Sequence, residues 1–202
     1  MYRGFIFDLD GTLVDSRLDF ADLARRLEVP YGSPLLEVVA SWPEQKRKWG
    51  MEVIHQFEVE GAERSQVFPG VKEFLQFLED SEIPVGLFTR NSRSTMLRTI
   101  EKHGFRFSIC YAREDGPPKP SPHGLWKIQQ EWKIPKDKIL YVGDYLYDLQ
   151  AGLAAEIPTA IYESSPADFD TKGARYIFRD YQWLTSLVAE GSRAVEEPSA
   201  VD

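Results

Sequence analysis

Short apolar runs, each ending abruptly on a polar residue, recur along the chain. Phe5-Ile6-Phe7 stops at Asp8, Ile83 to Phe88 stops at Thr89, and Ile139 to Val142 stops at Gly143-Asp144. Ile109 to Tyr111, Thr159 to Tyr162 and Tyr176 to Phe178 complete the set. The runs are unbroken rather than alternating, as in strands buried on both faces of a parallel sheet. Between them lie amphipathic stretches at helical spacing: Val71 to Leu78, Ser94 to His103, Gly124 to Trp132 and Asp148 to Ala155. Strand alternating with helix predicts a doubly wound α/β fold.

The interval 17–66 breaks this rhythm and reads as helices only. Phe20 to Leu27 forms one, and Pro30-Tyr31-Gly32 a turn. Ser33-Pro34 then offers an N-cap and an N1 proline to a second helix ending at Trp42. A third runs from Glu44 to about Glu60. The expected organisation is therefore an α/β core built from 1–16 and 67–190 with a small helical cap, 17–66, inserted after the first strand. Residues 191–202 read as a disordered acidic tail.

Composition narrows the partners. The formal charge is −8, and four acids against one base between Glu190 and Asp202 account for three of those charges. The body carries no basic stripe of the kind that follows a nucleic-acid backbone, so no nucleic-acid polymer is expected. The single cysteine, Cys110, rules out an intramolecular disulfide and reads as a structural thiol within an apolar run. The apolar run at the start is too short for a signal peptide, and no stretch approaches the ~18 apolar residues of a spanning helix. A cytoplasmic protein with no membrane partner is the expectation, and the sequence carries no reading of oligomeric state.

Candidate chemistry sits at the strand ends. In an open α/β sheet, ligands bind beyond the carboxyl ends of the strands, where strand order reverses. The ends and adjacent loops supply Asp8 and Asp10, Thr89, Lys119 and Asp144. Carboxylates, a hydroxyl and one ammonium suit a hard cation such as Mg²⁺ together with a phosphate.

The same residues carry a resemblance. Phe7-Asp8-Leu9-Asp10-Gly11-Thr12-Leu13-Val14-Asp15-Ser16 resembles the nucleophile motif of the haloacid dehalogenase-like superfamily. Thr89, Lys119 within Gly116-Pro117-Pro118-Lys119-Pro120-Ser121-Pro122, and Gly143-Asp144-Tyr145-Leu146-Tyr147-Asp148 are similar to its second, third and fourth motifs, in order. The helical insert is similar to the cap of the phosphoglycolate phosphatase and β-phosphoglucomutase branch. The resemblance implies a three-layer α/β/α Rossmannoid core with strand order 3-2-1-4-5. It implies Asp8 as a nucleophile that becomes an aspartyl-phosphate, and Asp10 as acid/base. Thr89, Asn91, Gly11 and Lys119 would receive the phosphoryl group. Mg²⁺ would bind Asp8, Asp144 and the backbone carbonyl of Asp10, with Asp148 binding metal-bound water or orienting Lys119.

The implied activity is a Mg²⁺-dependent phosphatase acting on a small phosphorylated metabolite. Two alternatives stay open: a phosphomutase, and a phosphate-binding scaffold without activity. Arg90 stands where the family pattern often has a smaller residue, and no role is assigned to it. His123 reads as a helix-start residue. In the cap, Arg17, Asp19, Arg25, Arg26, Lys46, Arg47, Lys48 and His55 read as solvated residues, and Trp42 and Trp49 as packing between helices.

Overall fold

The computed structural model describes residues 1–193, with side chains through residue 190. The stretch expected to form a tail, 191–202, lies outside the described residues apart from the backbone of its first three. The chain opens with β1 (Gly4–Phe7), β2 (Val14–Asp15), α1 (Phe20–Arg26), α2 (Leu35–Ala40), α3 (Glu44–Arg64) and β3 (Gln66–Val67). It continues through α4 (Val71–Asp80), β4 (Val85–Phe88), α5 (Arg93–His103), β5 (Ile109–Tyr111), α6 (His123–Trp132), β6 (Ile139–Gly143) and α7 (Leu146–Ala155). β7 (Thr159–Tyr162), β8 (Tyr176–Phe178) and α8 (Tyr181–Arg193) follow.

Six strands form one parallel sheet in the order β5-β4-β1-β6-β7-β8. Numbered by their own succession, they run 3-2-1-4-5-6, the expected order with the Tyr176–Phe178 strand added at the edge. Alternate residues of β1 point to opposite faces, and the two cores divide accordingly. Phe5 and Phe7 pack with Phe74 and Leu78 of α4, Met96 of α5, and Tyr181 and Leu184 of α8. Ile6 packs on the other side with Leu125 and Ile128 of α6 and Ala151 and Ala155 of α7. Helices on both faces explain why the strands read as unbroken apolar runs.

α1–α3 enclose a third cluster, in which Leu23, Leu27, Val39, Ile54 and Phe57 are buried. Asp19 caps α1, accepting from the Ala21 and Asp22 amides at 3.0 Å each. Two expectations need correction. Pro34 occupies the N-cap position of α2 rather than N1, Ser33 makes no cap, and the helix stops at Ala40 rather than Trp42. The interval 17–66 is also not free of strand: Gln66 pairs with Asp15, and Val67 with Val14, in a two-stranded antiparallel ribbon. A strand of two residues is too short to show a period. The ribbon joins the entry and exit of the helical segment, so both connections leave the sheet side by side. No helix among the described residues is long and apolar enough to cross a membrane.

Candidate active site

Strand order reverses around β1, which lies between β4 and β6. Phe7 is level with Leu87 on one side and Val142 on the other. That register brings the residues just beyond these strands, Asp8, Thr89 and Asp144, to one end of the sheet. The Asp8 amide donates to the Val142 carbonyl at 2.9 Å, and the Thr89 amide to the Tyr111 carbonyl at 3.0 Å. After Asp8 the chain turns sharply. Gly11 has φ +79°, and a Cβ there would stand 2.1 Å from Asp144 Oδ2, so only glycine admits this approach. Thr12 Oγ1 donates to Asp144 Oδ1 at 3.0 Å, which ties the first turn to the fourth strand.

Lys119 reaches this point from the proline-rich loop and is 2% exposed. Its Nζ lies 2.6 Å from Asp8 Oδ1 and 2.7 Å from Asp148 Oδ1. Asp148 is held further by the Tyr141 hydroxyl, which donates at 2.5 Å. Its other oxygen accepts the Tyr145 and Asp144 amides at 3.0 and 3.3 Å. Asp148 is thus already engaged by protein donors, the Lys119 ammonium among them.

Oxygens of Asp8, Asp144 and Asp148 all lie within 4.8 Å of one another. Three carboxylates face one ammonium, an imbalance that low-dielectric surroundings make costly. Burial pushes the Asp8 carboxyl up to about 7, with Asp148 and Asp10 adding to the rise and Lys119 opposing it. Burial, then Asp148 and Asp8, hold the Asp144 carboxyl well above the usual range. Burial pulls the Lys119 ammonium down, but Asp148 and Asp8 together outweigh it and hold its pKa above the ordinary value. Protonation relieves such an excess, and a divalent cation could do the same. All-oxygen donors suit a hard ion, and with Asp148 engaged elsewhere, Asp8 and Asp144 are the carboxylates that could hold it.

Asp10 belongs to a separate arrangement. The Ser16 hydroxyl donates to Asp10 Oδ1, and the Asn91 side-chain amide to Oδ2 at 2.5 Å. Burial raises its carboxyl, while the Ser16 and Asn91 hydrogen bonds pull the other way. Asn91, expected on a phosphoryl oxygen, therefore has its side-chain amide on Asp10, and its backbone amide donates to Thr89 Oγ1 at 3.1 Å. Arg90 has defined partners. Its guanidinium pairs with Glu37 of α2 at 2.9 and 3.1 Å, lies 4.7 Å from the Tyr147 ring centre and donates to the Lys119 carbonyl. His123 begins α6 and packs on Tyr111.

Comparisons with known proteins bear on the family and the fold. The model of the haloacid dehalogenase-like hydrolase family matches residues 2–156, which include every strand-end residue discussed above. The chain belongs to this family. A haloacid dehalogenase-like hydrolase domain-containing protein of Arabidopsis thaliana is 31% identical, over 88% of this chain and 79% of the plant protein. A phosphoglycolate phosphatase of Pseudomonas savastanoi pv. phaseolicola is 27% identical, over 75% of this chain and 66% of its own length. Among solved structures, a hydrolase from Pseudomonas syringae superposes with a TM-score of 0.77 at 20% identity, over 93% of this chain and 98% of that one.

In this haloacid dehalogenase-like hydrolase, several residues at the site gave no sequence signal. Tyr141 lies inside an apolar run and looks like core, yet its hydroxyl fixes Asp148. Ser16 closes the first motif without a role of its own there, yet its hydroxyl donates to Asp10, and Glu58 is one acid among many on α3. The cations of the helical segment do sit on the surface: Arg26 pairs with Asp22 and Glu60, Lys48 with Glu44, and Lys46 lies over Trp42. His55 differs, with Nδ1 3.3 Å from the Ser92 hydroxyl.

Proposed function

We propose that the chain is a Mg²⁺-dependent phosphatase working through an aspartyl-phosphate on Asp8. In this reading α1–α3, within 17–66, act as a cap over a core of 1–16 and 67–190. The observation that carries it is the buried excess of carboxylate over ammonium beside a separately held Asp10. An Asp8 oxygen attacks phosphorus, and the bond from phosphorus to the ester oxygen breaks. Asp10, whose carboxyl burial raises, gives its proton to the departing oxygen. It then takes a proton from the water that attacks the aspartyl-phosphate, releasing inorganic phosphate and restoring Asp8.

Lys119, Thr89, Gly11 and Asn91 receive the phosphoryl oxygens. Lys119 supplies charge, and Thr89 a hydroxyl at the end of β4. Gly11 permits close backbone approach, and Asn91 adds an amide that already stands beside Asp10. Asp8, Asp144 and the Asp10 carbonyl would hold Mg²⁺, which when bound neutralises charge on the phosphoryl group. The phosphoglycolate phosphatase relatives favour a small phosphorylated metabolite, with phosphoglycolate the first to try. The test is phosphate release from a panel of such esters with Mg²⁺ and with EDTA. Turnover that requires Mg²⁺ supports the reading. Equal turnover in EDTA would remove the metal from it, and no release from any ester would remove the phosphatase.

A further inference from the structure

The loop that follows β4 carries Thr89 and Asn91, and it is gripped from outside the site by a buried ion pair the mechanism does not use. Glu58, on α3, is 8% exposed and its partner Arg113, in the turn after β5, is 12% exposed. Arg113 Nη1 donates to Glu58 Oε1 at 2.5 Å, and Nη2 to Oε2 at 3.4 Å. Glu58 Oε2 also accepts the Ser92 amide at 3.2 Å, and Arg113 Nη1 donates to the Arg90 carbonyl at 3.2 Å. The Arg113 amide donates to the Asn91 carbonyl at 3.0 Å. The peptide groups on both sides of Asn91 are therefore fixed by one carboxylate and one arginine. The side chain they aim is the one whose amide donates to Asp10.

We infer that Glu58 is a positioning residue for Asp10, acting through the Ser92 amide and Asn91, with Arg113 as its counter-ion. The inference rests on the reading of Asp10 as acid/base. A surface ion pair would contribute little. This one is desolvated, and the cost of burying it is offset by hydrogen bonds: both Glu58 oxygens have donors, and Arg113 Nη1 and Nη2 each have an acceptor. Because Glu58 belongs to α3, the helical segment takes part in setting the geometry of the acid/base and does more than cover it.

Without its grip, Asn91 and Asp10 would sample other positions, and both proton transfers would slow more than phosphoryl capture, for which Lys119, Thr89 and Gly11 remain. The loss is expected in kcat rather than KM. p-Nitrophenyl phosphate, whose leaving group scarcely needs a proton, separates the steps. In Glu58→Ala, rapid mixing should show a burst of about one nitrophenolate per enzyme, then turnover about tenfold slower than wild type. An alkyl phosphate should be turned over about tenfold more slowly with no burst. Glu58→Gln, which keeps an acceptor for the Ser92 amide, should recover most of the loss. Should Glu58→Ala not fold, Arg113→Lys, which keeps the charge but not the fork, serves with the same readouts.

Asp10→Asn run alongside is the reference for a displaced acid/base. If it shows the burst and the Glu58 and Arg113 variants turn over like wild type, or slow every step equally, the positioning role is overturned and Asp10 keeps its place. If Asp10→Asn itself treats both substrate classes like wild type, both readings fall together.

Discussion

Two buried charged groups in this protein are built on opposite plans. At the sheet end, Asp8, Asp144 and Asp148 share the single ammonium of Lys119. Some 55 residues apart in sequence, Glu58 and Arg113 face each other one to one, with the Ser92 amide donating to Glu58 and the Arg90 carbonyl accepting from Arg113. A balanced pair holds its surroundings in place and leaves little unmet charge. An unbalanced cluster is costly until a proton or a cation joins it, which makes it a place suited to binding positive charge.

That contrast can be broken experimentally. Asp8→Asn removes one surplus charge and keeps the shape. Turnover should fall about a thousandfold or more, to background, while the fold stays intact by circular dichroism. Substantial activity in a clean, folded preparation would disprove a nucleophilic Asp8. In the balanced pair the same kind of change should also act strongly on stability. Arg113→Ala leaves Glu58 buried without its counter-ion and should cost about 3 kcal/mol in a urea melt. A cost near zero would mean that water reaches Glu58 and the pair is not sealed.

Asp144→Asn should leave folding unchanged and raise the Mg²⁺ concentration needed for half-maximal rate about 10- to 100-fold. An unaltered Mg²⁺ titration would count against Asp144 as a ligand. The smallest effect is on stability against pH. Burial moves Asp8 from an ordinary 3.8 to about 7. Between those values the folded metal-free protein keeps a proton that the unfolded chain has lost, so this group's contribution to stability falls as pH rises. Measured against Asp8→Asn, the wild-type melting temperature without metal should decline across that window, and saturating Mg²⁺ should remove the decline. A difference that stays flat without metal would show that Asp8 does not bear the surplus charge.

The sequence by itself determined the sheet and the contents of its end. Burial on both faces leaves unbroken apolar runs, and a polar residue closing such a run marks the strand end, so Asp8, Thr89 and Asp144 were legible one by one. Register then brings them together whatever the loops do. Only the tertiary structure decided what those groups touch. Asn91 turns to Asp10, Arg90 reaches Glu37 on α2, Tyr141 leaves an apolar run to hold Asp148, and Glu58 finds Arg113. The two-residue ribbon at Val14–Asp15 and Gln66–Val67 was equally invisible, because two residues have no period. The physical reason is common to all of these. Periodicity records whether a position is buried, a property each residue carries in its own neighbourhood. A hydrogen bond or ion pair depends on two distant segments arriving at one point with matched geometry, and that is settled only when the helices close on the sheet.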